Sequence, residues 1–138
     1  MSETSSYSDS ELEDSNIIQL ACVGSRMYNN YQEFDKNIRE TFKEWNISMN
    51  SRINLISGGA KGTDKMAEEW ATKNSRSITI FRPNWDKYGK GAGPRRNAQI
   101  IDAATHCIAF PSKMGKGTQD SIRKANRKGI PLKVIYID

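Results

Sequence analysis

Two arginines and an asparagine, Arg95, Arg96 and Asn97, follow a glycine–proline turn in GAGPRRNAQI (residues 91–100) and lead into an apolar stretch. Planar, hydrogen-bonding side chains at a helix start suit a phosphate or a ribose, because a guanidinium grips an anion through two parallel N–H bonds. Two other segments offer related chemistry. In SGGAKGTD (57–64), Gly58, Gly59 and Gly62 let backbone approach a ligand closely, and a helix opening near Thr63 directs its N–H groups and dipole at an anion. Gly115, Gly117 and Thr118 repeat that arrangement in PSKMGKGT (111–118). Lys61, Arg96 and the Arg26 of Gly24-Ser25-Arg26 add charge-assisted donors. One glycine-rich turn is as readily a plain tight turn. Two of them, together with GSR and GPRRN, point to an anion-binding cleft. Trp85 and Tyr88, in the long segment RPNWDKYGKGAG, are placed either to stack on a base or to pack that loop onto the domain.

The elements that must position these residues alternate along the chain. IIQLACVG (17–24), INLISGG (53–59), SITIF (77–81), THCIAF (105–110) and PLKVIYI (131–137) are short apolar runs of the kind buried parallel strands use. Between them, Tyr31, Phe34, Ile38, Phe42 and Trp45 recur at helical steps, with Asn30 and Glu33 spaced as a capping box. TDKMAEEWATK turns Met66, Ala67, Trp70 and Ala71 inward. Pro94 suits the first turn of a helix through RRNAQIIDAA, and Gly129 suits the end of GTQDSIRKANRKG. This order predicts a Rossmann-like three-layer α/β/α domain with a mainly parallel five-stranded sheet and right-handed crossovers. Ligands of such sheets sit outside the carboxyl ends of the strands, where strand order reverses, and the unusual residues all fall at those ends. No GxGxxG follows the first strand, which argues against a standard NAD site.

Length, 138 residues, fits one domain. No apolar run approaches the ~20 residues of a membrane span, and no signal-peptide pattern opens the chain, so the expected setting is cytoplasmic with no membrane partner. Cys22 and Cys107 lie in apolar segments and read as buried, reduced thiols; His106 is the sole histidine and reads as a core or edge residue. Three-histidine and cysteine-rich zinc sites are excluded, and neither a metal nor a cofactor is expected. The first fifteen residues carry five acids and no lysine or arginine and read as a disordered acidic tail, with the domain spanning 16–138. The remainder holds all 21 basic residues against eleven acids, a net of +10, which favours anionic partners as much as it aids solubility.

In chain order and at suitable spacing, VGSR, SGGAKGTD, GPRRNAQII and GTQDSIRKANRKGIPL resemble the SLOG superfamily (SMF/DprA-LOG), most closely its small YspA/YpsA-related proteins. The resemblance implies a Rossmannoid fold that binds nucleotides or nucleotide-derived ligands. LOG-type phosphoribohydrolases of this superfamily cleave the N-glycosidic bond of nucleoside monophosphates with an Arg-Lys pair and a glutamate in PGGxGTxxE. By that pattern Arg96 keeps the arginine's place, Asn97 replaces the lysine, and Gly117 and Thr118 are retained. Ser121 stands at the glutamate position and Asp120 one residue early. One helical step turns a side chain by about 100°, and a first-turn acid stabilises a helix without any catalytic task. The DprA-like branch binds single-stranded DNA, and VGSR, SGGAKGTD and RRN match its GSR, SGxAxGxD and RN motifs.

The expected function is binding of a nucleotide or nucleotide-derived molecule, ADP-ribose-like or a nucleoside phosphate. The residues expected to bind it are Gly24, Ser25, Arg26, Gly58, Gly59, Lys61, Gly62, Thr63, Asp64, Arg96, Asn97, Gly117 and Thr118. Two alternatives stay open: a nucleotide N-glycosidase using Arg96 with Asp120 or Asp64, and a single-stranded nucleic-acid binder. Oligomeric state is open too, a homodimer included.

Overall fold

A computed structural model describes residues 16–113 and 115–138. The acidic tail expected over residues 1–15 lies outside them, as does Met114 of the PSKMGKGT turn. The elements run β1 (Ile18–Gly24), α1 (Tyr31–Glu44), β2 (Ile53–Ser57), α2 (Thr63–Lys73), β3 (Ser77–Ile80), α3 (Trp85–Tyr88), a 3-10 turn (Gly89–Gly91), α4 (Ala92–Ala103), β4 (His106–Phe110), α5 (Gly117–Lys128) and β5 (Leu132–Val134). All strand pairs are parallel, in the order β3-β2-β1-β4-β5. The chain therefore steps outward from β1 to β3, crosses back, and continues from β4 on the other side. The strand order reverses between β1 and β4, at the pairing of Gly24 with Phe110.

Alternation along the strands feeds two cores. Leu20, Cys22, Leu55, Ile108 and Phe110 pack under α1 and α2 with Phe34, Ile38, Phe42 and Trp70, all fully buried. Ala21, Val23, Ile56, Cys107 and Ala109 face α4 and α5 with Ile100, Ile101 and Ala125. This is the three-layer α/β/α arrangement expected. Truncating a side chain such as Trp70 or Phe34 to alanine costs about 3–5 kcal/mol. The two cysteines are free and point to opposite faces of the sheet; burial pushes the Cys107 thiol up to about 12 and Cys22 well above its ordinary value.

Several local expectations are adjusted. Asn30 caps α1 by accepting from the Glu33 amide at 3.1 Å, but the Glu33 carboxylate accepts from the Tyr28 hydroxyl at 2.8 Å, so the capping box is half formed. α4 starts at Ala92, two residues before Pro94, because proline is tolerated throughout a first turn whose N–H groups have no helical partner. The long segment RPNWDKYGKGAG contains α3, the 3-10 turn and the start of α4. β5 is shorter than expected, although the amides of Ile135 and Ile137 still donate to the Ala109 and Pro111 carbonyls. Gly129 ends α5 at φ 81° as its position suggested. Beyond it, the Lys128 ammonium donates to the carbonyls of Ile101, Asp102 and Ala104 at 2.7–2.9 Å, fastening α5 to the end of α4.

Candidate functional site

At the reversal between β1 and β4 the diverging connections leave an open cleft of about 790 Å³. Gly24, Ser25 and Arg26 enter it from the β1–α1 turn, Arg96 and Asn97 from the first turns of α4, and Gly117, Thr118 and Asp120 from α5. Asp64 reaches it from α2. The remaining sequence-predicted residues, Gly58, Gly59, Lys61, Gly62 and Thr63, are not part of its wall. His106 opens β4 at the far end of the sheet, against Trp45.

The glycine-rich β2–α2 segment is tied to the protein itself through three of its amides, those of Gly59, Ala60 and Thr63. The Thr63 amide and hydroxyl both donate to the Ser25 carbonyl, at 3.1 and 2.9 Å. The Gly59 amide donates to Ser57 Oγ at 3.1 Å and the Ala60 amide to Asp64 Oδ2 at 3.0 Å. Asp64 thus places the protein's own anion in the slot where an external one was expected. The glycines make room for protein rather than ligand: a Cβ on Gly62, whose φ is +70°, would lie 2.5 Å from the Ser25 and Arg26 backbone. A Cβ on Gly24 would lie 2.5 Å from Thr63 Oγ1.

Along the cleft floor runs a continuous polar chain. Arg96 Nη1 donates to the Gly58 carbonyl at 2.6 Å and Arg96 Nε to Asn97 Oδ1 at 3.2 Å. Asn97 Nδ2 donates to Asp120 Oδ2 at 3.0 Å, and Asp120 accepts both its oxygens' worth of contact from Lys124 Nζ at 2.7 and 2.6 Å. Within this chain of contacts Arg96, Asn97 and Asp120 each have a partner, as burial demands. Burial raises the Asp64 pKa, opposed by the Ala60 amide and the charge of Arg96. Burial lowers that of Arg96, opposed by Asp64 and reinforced by Arg26. At Asp120 burial pushes upward, but hydrogen bonds from Lys124 and Asn97 and the charges of Lys124 and Arg123 outweigh it, and the pKa falls. Arg95 lies apart from this chain, with its guanidinium 4.2 Å from the Tyr88 ring centroid.

The start of α5 borders the cleft directly. Its Lys116 cap position makes no side-chain capping bond, and a first turn's amides have no helical acceptor. Gly115, Lys116, Gly117 and Thr118 border the cleft there, with Arg123 and Arg26 in the same wall. Arg123 escaped the sequence reading; its signal was its place three residues after Asp120, hence on the same helical face. Ser112, Lys116 and Met27 also line the cleft unforeseen. Of the two aromatic candidates, Trp85 lines it and Tyr88 does not. The arrangement supplies converging donors and positive charge for an anion.

The fold and cleft define a Rossmann-like α/β domain open at its strand-order reversal. The chain belongs to the YspA, cpYpsA-related SLOG family (YAcAr), whose match covers residues 23–88. It is 36% identical over 84 residues to the Gene 61 protein of Mycobacterium phage D29, covering 56% of this chain and 67% of the phage protein. Its fold is similar to that of DNA processing protein A (DprA) from Streptococcus pneumoniae, with a TM-score of 0.64 and 20% identity over 90% of this chain. This chain spans 51% of that structure. TM1055, a structural-genomics target, superposes with a TM-score of 0.57 and 12% identity, over 83% of this chain and 72% of its own. Among the described residues, no helix is long and apolar enough to cross a membrane.

Proposed function

We propose that the cleft binds a nucleotide or nucleotide-derived ligand, of ADP-ribose-like or nucleoside phosphate type, with a phosphate at the start of α5. The observation that carries this reading is the convergence of an uncapped helix start with Arg26, Arg96, Lys116 and Arg123 in one cleft. Its size lies in the range typical of small-molecule sites, roughly 300–1,000 Å³. Membership of the SLOG family supports the same class of ligand. Binding is favoured over N-glycosidic cleavage because both carboxylates named for hydrolysis have structural tasks. Asp120 is held by Lys124 and Asn97, and Asp64 by the Ala60 amide. In the β2–α2 segment the Gly59, Ala60 and Thr63 amides have acceptors within the protein, which leaves the start of α5 as the proposed phosphate position.

Titration calorimetry with adenosine 5′-monophosphate, ADP-ribose and a single-stranded oligonucleotide tests this, alongside mass spectrometry of any molecule that co-purifies. Arg96→Ala removes a charged donor and should weaken nucleotide binding about tenfold to a hundredfold. Arg96→Lys should recover only part, lacking the planar fork. The nucleotide should show a shallow salt dependence. A strand crossing a basic face shows a slope near −0.7 per neutralised phosphate. Steep, tight oligonucleotide binding that ignores Arg96→Ala would instead support the nucleic-acid reading.

A further inference from the structure

Among the described residues, four large apolar side chains are exposed: Met27 (85%), Tyr136 (57%), Trp85 (51%) and Tyr88 (37%). Met27 and Trp85 line the same cleft, the one that holds the phosphate-directed groups. An exposed indole beside converging polar groups is the usual make-up of a site for an amphipathic ligand.

Trp85 is also held in place, although no residue of α3 is buried. Asn84 caps the short helix by accepting from the Lys87 amide at 3.1 Å. The edge of the Trp85 ring lies beside Gly93, where a Cβ would come 3.7 Å from the indole Cη2. One turn further on, Tyr88 is covered by Arg95. Gly93 precedes Arg96 by three residues, about one helical turn along α4, and Trp85 and Arg96 line the same cleft.

We propose that Trp85 is the platform on which the cleft stacks a planar base, with Met27 as the second exposed large apolar side chain in the same cleft. The site then selects nucleotides over sugar phosphates that lack a base. This rests on the phosphate reading of the cleft and adds the determinant of specificity. Sulfur–aromatic and base–indole contacts both suit a flat ring, and stacking of this kind tolerates different bases.

Adenosine 5′-monophosphate and ribose 5-phosphate, titrated by calorimetry and by tryptophan emission, separate the two ends of the ligand. Trp70 is fully buried and Trp45 partly so, leaving Trp85 as the exposed indole to report stacking. The nucleotide should quench emission and bind more tightly than the sugar phosphate. Trp85→Ala should weaken the nucleotide about five- to a hundredfold and close the gap between the two probes. Trp85→Phe should keep most of the affinity while losing the quench, which a merely structural Trp85 would not predict. Equal binding of both probes by the unmodified protein overturns the stacking proposal and leaves the phosphate reading standing. So does an equal loss of both probes in Trp85→Ala. Binding of neither probe overturns both.

Discussion

Gly58→Ala tests whether the cleft floor is assembled as described. Gly58 is not in the left-handed region, so an alanine there meets no backbone strain. The obstacle is space. A Cβ would lie 2.5 Å from Arg96 Nη1 and 3.0 Å from Asp64 Oδ2, whereas ordinary contact begins at 3.4 Å. The guanidinium must retreat by roughly 0.9 Å to reach van der Waals distance. That takes its 2.6 Å bond to the Gly58 carbonyl to the edge of hydrogen-bond range. Loss of a charged hydrogen bond costs about 1.5–3 kcal/mol. The stiffer unfolded chain returns about 0.4–1 kcal/mol. The expected net is a destabilisation of roughly 1–2 kcal/mol, or a Tm lower by roughly 3–8 °C. Urea midpoints measured in two backgrounds isolate the cause. With Arg96→Ala already present only the Asp64 carboxylate, at 3.0 Å, must shift slightly, so adding Gly58→Ala should cost far less than in the unmodified protein. Equal costs in both backgrounds would refute the steric argument and place the penalty in the backbone.

Asp120→Asn should lower stability near neutral pH and make no difference in acid. Because the folded carboxyl has a lowered pKa, its contribution is complete above the unfolded value of about 4 and is lost as pH falls through the folded one. A difference in urea midpoint that persisted in acid would contradict this. Gly24→Ala puts a Cβ 2.7 Å from the Phe110 carbonyl, which is backbone and cannot swing aside, so a loss of more than about 3 kcal/mol or failure to fold is expected in thermal melts. Deleting residues 1–15, which offer almost no large apolar surface, should leave Tm nearly unchanged, and a large drop would show that they pack on the domain.

Apolar runs and helical spacing, read from the sequence alone, determined the strand and helix order, the inward faces of α1 and α2, and the Gly129 cap. Each of these depends on neighbours within a turn or a strand, and such information is local. The carboxyl edge of the sheet followed from the alternation of elements, so the side of the molecule carrying the cleft was legible, whereas the place of the reversal, between β1 and β4, came from the sheet order. The start of α4 was not, because Pro94 fits any position of a first turn. The meaning of SGGAKGTD was not legible either. In that segment glycine announces a positive φ or a Cβ without room, and whether a ligand or another stretch of chain fills the room depends on residues far away in sequence. Here the fillers are the Ser25–Arg26 backbone, Arg82 and Arg96, 23 to 38 residues distant. Tertiary packing likewise set the Asp64 carboxylate against the Ala60 amide, joined Asn97 to Asp120 across 23 residues, and brought the start of α5 to the edge of the cleft. Hydrogen-bond satisfaction is decided only once the chain has closed on itself, so which donors remain for a ligand is a property of the fold.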